Sequence, residues 1–444
     1  MKKPATPPDL SNIFKDLNHE RLIEIFTSPL VNTTKKYFHW DELRRRPAPK
    51  GCTHEEWWLM LKSARQQLER ETPLLDEQRV PFSYSLTDHI LEKLPRIDAQ
   101  AKGAIGTSEQ VINSGQRDRY VISSLIEEAI TSSQLEGAVT TRKEASDMLR
   151  TGRAPRDKSE QMILNNFMAM NKILSFKNET ITPEKICELH KVVTEHTLDD
   201  ESAAGRIQRP SDKRVSVWDE TTGDVLHTPP PAEELANRMQ SLCDFANAPN
   251  EDGQYLHPII RAIILHFWLA YDHPFEDGNG RTARALFYWS MLKQGYWLFE
   301  FVSISSLLRK APTAYARSYL YTETDGNDLT YFIIYQLEII LRAIKELEKY
   351  IERKSQEVKQ IDHYIRDLSI LNHRQKALAA HALKDSGNIY SIESHQRSHN
   401  IAYATSRSDL LKLVELGILQ KFKIGKALRF KAVDQLERVL QKIG

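Results

Sequence analysis

The chain contains the stretch His273-Pro-Phe-Glu-Asp-Gly-Asn-Gly-Arg-Thr-Ala-Arg284, which gathers an imidazole, two carboxylates, two glycines, an amide and two guanidinium groups. Residues 258–270, which precede it, are apolar nearly all round, as in a fully buried helix. Residues 283–292, at its end, have the same character. The sequence therefore predicts a polar turn held between two core helices.

The glycines and arginines of this turn suit phosphate binding. Gly278 and Gly280 leave backbone N–H groups accessible where a new helix starts and its dipole is positive. Such a position is an anion site, most naturally for phosphate. Arg281 and Arg284 lie three residues apart on one helical face, where both guanidinium groups reach a polyphosphate.

Two further side chains complete a reaction centre. Asp277 offers a hard oxygen ligand to a magnesium ion that also binds phosphate oxygens. His273, at the end of the preceding helix, accepts a proton from an incoming hydroxyl near neutral pH. Together these residues describe transfer of a phosphorus-centred group from a magnesium nucleotide to a hydroxyl.

The stretch resembles the signature of Fic-domain proteins, His-x-Phe-x-Asp/Glu-Gly-Asn-Gly-Arg-x-x-Arg, and matches it at all eight specified positions. The resemblance implies AMP transfer from ATP to a Ser, Thr or Tyr hydroxyl of a protein, with pyrophosphate leaving. The related Doc kinases carry Lys where this chain has Gly280 and transfer phosphate, so Gly280 favours adenylyl transfer. The resemblance also assigns roles: His273 is the base, Asp277 holds Mg2+, Asn279 and the glycine amides hold the phosphates, Phe275 anchors the loop, and Arg284 receives the γ-phosphate.

A second motif, Ser132-x-x-x-Glu136-Gly137, ends a predicted helix over about 118–137. It resembles the inhibitory signature Ser/Thr-x-x-x-Glu-Gly/Asn of Fic proteins that carry it before the core. A Glu136 carboxylate bound to Arg284 would occupy the guanidinium that the γ-phosphate of ATP needs, so two anions would compete for one arginine. Taken alone, the motif also fits a surface glutamate before a helix stop at Gly137.

A lone β-hairpin is predicted over about 213–228, and we call it the flap. Val215 and Val217 alternate, a turn follows, and the chain returns over 225–227. An unpaired hairpin edge is a liability unless something uses it. By resemblance the flap lies over the nucleotide and pairs with the target segment by strand addition, which makes target-docking residues of Lys213, Arg214, Val215, Ser216 and Val217.

Helical patterns fill most of the remaining core, over about 158–176, 183–197, 231–247 and 328–367. Tyr315 falls where Fic relatives often have an aromatic beside the adenine, and a packed core tyrosine is an equal alternative. The last helix carries a narrow apolar stripe from Ile340 to Ile365, which is typical of a connecting helix or a coiled-coil interface. Whether the chain forms a homodimer through this stripe is therefore left open.

Residues 371–444 carry 13 Lys and Arg against 6 Asp and Glu, a local charge of +7 in a chain of net charge +1. Helices over 372–384, 392–399 and 405–416 and a hairpin over 419–430 resemble a winged helix-turn-helix. The basic balance favours DNA, but winged helices also serve dimerisation and protein docking, so both kinds of partner stay open. The predicted groove-facing residues are Thr405, Ser406, Arg407 and Lys412, with Lys426 on the wing.

Predictions about the first hundred residues depend on sequence patterns alone, without a family resemblance. Thr53 followed by Glu56 predicts a capped helix, and the region is expected to be a small mixed α/β accessory domain. The fold class is thus mainly α, with a Fic-type helical core, the flap, this N-terminal domain and the C-terminal winged helix. The predicted domains are 1–100, 101–367 and 368–444.

Composition limits the class of protein. The chain has 444 residues, enough for two or three domains, and its three cysteines are widely separated without metal-ligand spacing. No run reaches the roughly 18 apolar residues of a membrane span, and no apolar run follows the N-terminal lysines as in a signal peptide. These features predict a cytoplasmic protein with reduced thiols and no membrane partner.

The leading prediction is an autoinhibited protein adenylyltransferase that uses ATP and Mg2+ and acts on a protein substrate, the chain itself included. Two alternatives remain. The same site, with Glu136 positioning a water, would remove AMP from proteins. A regulator that binds DNA and only senses nucleotide would keep its function without His273.

Overall fold

The fold is described from a computed structural model of the chain, which covers residues 3–27, 36–102, 114–214, 216–218, 223, 225–250, 255–384, 387–424 and 427–443. Most of these residues are helical. The α-helices are α1 Leu10–Asp16, α2 His19–Thr27, α3 Trp40–Leu43, α4 His54–Gln66, α5 Asp88–Ala101, α6 Ser114–Leu135, α7 Arg142–Thr151, α8 Lys158–Phe176, α9 Pro183–Thr194, α10 Leu235–Asn247, α11 Pro258–Asp272, α12 Asn279–Lys293, α13 Ser305–Leu308, α14 Pro312–Thr324, α15 Thr330–Asp367, α16 His373–Lys384, α17 Ile392–His399, α18 Tyr403–Glu415 and α19 Leu436–Ile443.

The strands form small antiparallel sheets. Their bounds are β1 Glu69–Leu75, β2 Pro81–Ser85, β3 Val217–Trp218, β4 Val225–His227, β5 Ile389–Tyr390, β6 Leu419–Ile424 and β7 Ala427–Ala432. Strand β1 pairs with β2, β3 pairs with β4, and the remaining three lie in the order β5-β7-β6. The predicted flap is therefore present as β3 and β4, with Val217 opposite His227.

The chain divides into two compact units. One contains residues 1–105 and 122–344, and the other contains 106–121 and 345–444. The first hundred residues thus share a unit with the motif at 273–284. The predicted division into 1–100, 101–367 and 368–444 stays a prediction.

Buried polar contacts explain why the first hundred residues join the core. Helix α4 begins with the predicted capping box, in which Thr53 and Glu56 bond each other's backbone N–H groups. From the same helix, Arg65 donates to the Tyr331 hydroxyl at 3.0 Å, and Lys62 lies 3.0 Å from Asp325. Charges this well buried require such partners, so α4 cannot leave α15 without exposing them.

Helices α11 and α12 form the centre of the first unit. Every residue from Ile259 to Leu269 is buried, as the apolar sequence predicts. Pro258 occupies the first turn of α11, where its missing N–H costs nothing, and the His257 side chain accepts from the Ile259 N–H. Helix α12 is buried from Arg281 to Leu292. The turn between these helices therefore rests on a rigid support.

Helix α6 is fixed to the core by a buried carboxylate. Glu128 accepts from the Tyr288 hydroxyl at 2.9 Å, from the Ser303 hydroxyl at 2.8 Å and from the Ser305 N–H at 3.1 Å, and also from the Ser305 hydroxyl. These donors lie on α12 and around the start of α13. Because Glu128 lies about two helical turns before Glu136, it sets the position of the motif at the end of α6.

The second unit contains the predicted helices and hairpin of a winged helix-turn-helix. Its core includes Leu378, Leu410, Leu413 and Phe430, and Asp409 binds Arg374 at 2.7 Å within it. Thr405 and Arg407 are exposed on α18 and Lys412 is partly exposed.

One groove-facing assignment in this unit is wrong. Ser406 is fully buried and donates to the Ile392 carbonyl at 2.6 Å, because its position on α18 faces α17. Lys426 lies outside the described residues. Among the described residues, no helix combines the length and apolar character needed to cross a bilayer.

We predict that Glu128→Ala lowers the free energy of unfolding by about 3 kcal/mol, because it leaves several buried donors without an acceptor. Urea unfolding followed by circular dichroism measures the loss. Glu127→Ala is the matched control: Glu127 pairs with Arg142, which is 76% exposed, so its loss costs less than about 1 kcal/mol. Equal losses for the two variants would contradict the anchoring role of Glu128.

Candidate active site

The site begins where α11 ends. His273 follows the helix in the left-handed conformation, with φ 46° and ψ 54°, and its N–H donates to the Leu269 carbonyl at 3.1 Å. Left-handed backbone is uncommon for residues other than glycine and often occurs at helix ends and functional sites. The chain therefore turns sharply at the predicted base.

Two side chains hold the turn from inside the core. Asn279 closes it by accepting from the Phe275 N–H at 2.9 Å and donating to the Phe275 carbonyl at 2.8 Å. The ring of His190 stacks on the ring of Phe275 with centroids 3.8 Å apart. His190 Nδ1 accepts from the Gly205 N–H, so its Nε2 carries the proton that bonds the Asp277 carbonyl at 2.8 Å. Burial lowers the pKa of His190 to about 4, which keeps this arrangement neutral.

Gly278 is required by both conformation and space. Its φ is +80°, and a Cβ added there would lie 2.7 Å from Thr194 Cγ2. Gly280 is restricted differently, since a Cβ there would overlap Glu136 Oε1. The two glycines of the motif thus bring the start of α12 close to α9 and to the end of α6.

The two motif arginines have different surroundings. Arg284 is 2% exposed; it donates to the Ser132 hydroxyl at 2.8 Å, to the Ser132 carbonyl at 2.9 Å and to Glu136 Oε1 at 2.9 Å. Burial alone would lower the pKa of Arg284, but the charge and hydrogen bond of Glu136, together with Tyr315 and Glu128, outweigh it and the pKa is raised. The Glu136 side chain is 30% exposed. The ion pair therefore joins a buried cation to an anion at the edge of the site.

Arg281 does not line the cavity that Arg284 lines. It is fully buried and donates to the Val193 carbonyl at 2.9 Å, while Asp277 Oδ2 lies 3.5 Å from its guanidinium. The Asp277 side chain is 51% exposed, and its Oδ1 accepts from the Gly278 N–H at 2.5 Å. Asp277 thus keeps carboxylate oxygen accessible, whereas Arg281 supports the turn.

A cavity of about 230 Å³ brings several of the predicted residues together. From the motif and α14 it is lined by His273, Gly280, Arg284 and Tyr315, and from α6 by Glu136. Its remaining lining comes from the flap, from α11 and from α14: Val217, Leu226, His227, Ala270, Tyr271, Ala316, Tyr319, Leu320 and Glu323. The predicted base His273, the predicted phosphate-binding Arg284 and the flap therefore face one space.

The state of the predicted base follows from this environment. Burial, together with the positive charge of His227 nearby, lowers the pKa of His273 to about 4. His273 is therefore neutral at physiological pH and carries a lone pair. Tyr315 lines the same cavity, and its hydroxyl bonds His266 Nε2 at 2.8 Å; its place beside the adenine stays a prediction.

Three predicted residues contact different partners from those expected. The amide of Asn279 is used by the turn itself, and the guanidinium of Arg281 by a backbone carbonyl, so neither side chain faces the cavity as a phosphate ligand. Arg214 does not project towards a docked target: it donates to the carbonyls of Asp272 and His273 at 2.9 and 2.7 Å. A cation at a helix C-terminus satisfies carbonyls that have no partner in the helix.

The remaining docking residues are accessible in part. Lys213 and Val217 are exposed and Ser216 is half-buried, while Val215 lies outside the described residues. Gly137 has φ +93° and lies two residues after Leu135, the last residue of α6, so Glu136 directly follows the helix.

The sequence reasoning missed His190, His227, Glu323 and Glu128. A signal existed for His190, because it lies on the apolar face of α9 with Ile186, Leu189 and Val193. No local pattern links His227 to Glu323, which is 96 residues away in sequence. Contacts of that kind depend on tertiary packing.

Residues 180–291 match the model of the Fic/DOC family. A protein adenylyltransferase Fic from Nematostella vectensis is 37% identical over 127 residues, which are 29% of this chain and 26% of that protein. One from Drosophila willistoni is 29% identical over 212 residues, 46% and 39% of the two chains. The chain thus spans less than half the length of these curated relatives.

A crystal structure of a Fic family protein from Desulfovibrio desulfuricans is similar in fold, with a TM-score of 0.53 and 18% identity. The match covers 79% of this chain and 98% of that one. This likeness confirms the predicted mainly α fold class.

We predict that Gly278→Ala destabilises the protein by at least about 2 kcal/mol more than Gly152→Ala, as measured by urea unfolding. Both glycines have positive φ, but only at Gly278 does a Cβ meet another atom, Thr194 Cγ2. Thr194→Ser removes that methyl group, so it should recover much of the difference in the double variant. A double variant as unstable as Gly278→Ala would contradict a steric cause.

Proposed function

The chain carries a Fic-family domain over residues 180–291, and from that premise we propose that it is a protein adenylyltransferase inhibited by its own Glu136. It transfers AMP from ATP to a Ser, Thr or Tyr hydroxyl of a protein. The observation that carries the proposal is that His273, Arg284 and Glu136 line one cavity, with Glu136 Oε1 2.9 Å from the Arg284 guanidinium.

The reaction uses His273 as the base. The target hydroxyl oxygen bonds to the α-phosphorus while the bond from that phosphorus to the bridging oxygen breaks, and pyrophosphate leaves with the electron pair. The hydroxyl proton moves to His273 and from there to solvent. A neutral imidazole is needed for this step, and the lowered pKa of His273, about 4, supplies it throughout the neutral range.

The phosphates bind at the start of α12. Backbone N–H groups and the positive end of the helix dipole favour an anion there, and Arg284 supplies the charge for the γ-phosphate. Asp277 fits the role of magnesium ligand, since its half-exposed carboxylate is a hard oxygen donor beside this anion site. Bound Mg2+ would neutralise charge on the phosphates.

Gly280 favours transfer of AMP over transfer of phosphate. Any side chain at this position would overlap Glu136 and lie close to Arg284, whose Nη1 is 3.1 Å from an added Cβ. A lysine, as in the Doc kinases, would occupy the space assigned here to the phosphates. Gly280 leaves that space open, which supports adenylyl rather than phosphoryl transfer.

Inhibition is competition between two anions for Arg284. While Glu136 holds the guanidinium, the γ-phosphate has no cation at its position and ATP binds without the geometry that transfer needs. Because α6 is anchored through Glu128, we expect relief to come from rotation of the partly exposed Glu136 side chain and not from departure of the helix. In this mechanism the fold is the same in the inhibited state, with Glu136 on Arg284, and in the active state, with Glu136 rotated away.

The target segment pairs with the flap by strand addition. Val217 and Trp218 of β3 are 42% and 57% exposed, although large apolar side chains usually avoid water. They offer apolar contacts beside backbone groups able to pair with an added strand. Exposed hydroxyls of the chain itself are among the candidate targets.

The partner of the C-terminal unit stays open between DNA and protein. Thr405 and Arg407 on α18 would contact DNA in the usual arrangement of a winged helix. A homodimer is likewise still a prediction.

We predict that Glu136→Gly raises incorporation of label from α-labelled ATP into protein by about 10- to 100-fold over wild type. The estimate corresponds to removing a charged hydrogen bond of about 1.5–3 kcal/mol. Adding His273→Ala should lower the rate by at least about 100-fold, since it removes the base. Label on gels, with the chain alone and with a cell extract, measures both changes.

Gln134→Gly is the matched control, because it loosens the same helix end but leaves the carboxylate in place. It should not raise incorporation. If γ-labelled and not α-labelled ATP modifies protein, the nucleotide binds in the opposite orientation and the proposed reaction is wrong. If the double variant is as active as Glu136→Gly, His273 is not the base.

A further inference from the structure

His227 connects three elements around the cavity and has no role in the reaction described above. It is the last residue of β4 in the flap. Its Nδ1 lies 2.7 Å from Glu323 Oε2 on α14, and its Nε2 lies 2.8 Å from the Tyr271 carbonyl oxygen on α11. The side chains of His227 and Glu323 are 10% and 19% exposed. The pair is therefore well shielded from water.

The geometry identifies the protonation state of His227. Both partner atoms are acceptors, since one is a carboxylate oxygen and the other a carbonyl oxygen. A neutral imidazole has a single N–H and would direct a lone pair at one of them. Only the imidazolium donates to both. His227 is thus built into the fold as a cation, whereas His273 in the same cavity is neutral.

The bonds of His227 fix the flap to α11, which leads to the predicted base, and to α14, which lines the cavity. Tyr271 lies two residues before His273, and Glu323 shares α14 with Tyr315 and Tyr319, which line the cavity. Strand β4 carries His227, and its partner β3 carries the exposed Val217 and Trp218. A displacement of His227 would therefore move the docking strand relative to the base.

We propose that His227 and Glu323 are positioning residues that clamp the flap over the active site, and that the clamp holds only while His227 is protonated. The proposal rests on the proposed function, because it deepens the part played by the flap in presenting the target hydroxyl. Neither residue touches the reacting atoms. Both act through the position of β3 and β4.

The charged and titratable groups around His227 agree with a protonated clamp. Glu323 faces it from α14, the Tyr271 ring lies 4.9 Å away on α11, and Glu77 acts from the β1–β2 connection. Burial opposes the charge, but the hydrogen bond and charge of Glu323 outweigh it and raise the pKa of His227. His273 is a further titratable neighbour, and burial together with the His227 charge lowers its own pKa.

The contact between His227 and Glu323 should weaken as pH rises. The pKa of His227 is raised by folding, so the clamp is complete below the ordinary histidine pKa and is lost as pH rises through the raised value. His273 must be neutral, which requires a pH above about 4. AMP transfer should therefore have an acid limb from His273 and an alkaline limb from His227.

The test uses full-length protein with Glu136→Gly as the background. It compares His227→Gln, Glu323→Gln and the control Glu233→Gln, which makes a matched change at an exposed carboxylate that does not line the cavity. Gln at position 227 can donate to only one of the two acceptors, and Glu323→Gln keeps the shape but removes the charge. Thermal unfolding checks that each variant is folded.

Hydrogen exchange of peptides covering the flap, read by mass spectrometry without nucleotide, gives a result that does not need activity. We expect about tenfold faster exchange in β4 for His227→Gln and Glu323→Gln and no change in β4 for Glu233→Gln. Unchanged exchange in both clamp variants overturns the proposal, whether or not the protein transfers AMP.

Activity gives the second readout. We expect KM for the protein target to rise about tenfold or more in both clamp variants, with a smaller change in kcat. The alkaline limb should move to lower pH in Glu323→Gln and disappear in His227→Gln. An alkaline limb at the same pH in all variants overturns the proposal of the clamp. If the Glu136→Gly protein itself transfers no AMP, that result counts only against the proposed function.

Discussion

The structure depends on one requirement, that the buried guanidinium of Arg284 must have an anion beside it. A charge that is 2% exposed is costly unless it is paired and fully hydrogen-bonded. Two of its bonds go to Ser132, and neither supplies negative charge. The third partner is Glu136, and it is the member of the pair that lies near solvent. The fold thus fixes the arginine, whereas the proposed mechanism requires that a phosphate can replace its counter-ion Glu136.

Much of the surrounding architecture keeps that arginine in place. Helix α12 is buried on all sides, and its start is located by the Asn279 bonds to Phe275 and by His190 stacked on the same ring. Gly278 and Gly280 allow the close approach of α9 and α6. Glu128 then anchors α6 to the core at a point in the helix well before Glu136. A rigid support on every side agrees with the proposed inhibition, in which only one carboxylate side chain changes position.

The sequence predicted those features whose cause is local. An apolar run, a polar turn and a second apolar run lead directly to α11, the loop and α12, and the capping box at Thr53 appears as expected. The pairing of Glu136 with Arg284 spans 148 residues and came from the resemblance. The roles of Arg214 and Arg281 could not be predicted, since the carbonyls they bind become neighbours only after folding. The same is true of His227, whose partners lie on two other helices.

The measurement that tests the central claim most directly is nucleotide affinity by calorimetry in the His273→Ala background, where turnover is blocked. If Glu136 and the γ-phosphate compete for Arg284, Glu136→Gly should tighten ATP binding by about tenfold or more and leave AMP binding unchanged. Equal tightening for ATP and AMP, or none for either, would contradict competition for this arginine and with it the proposed mechanism of inhibition.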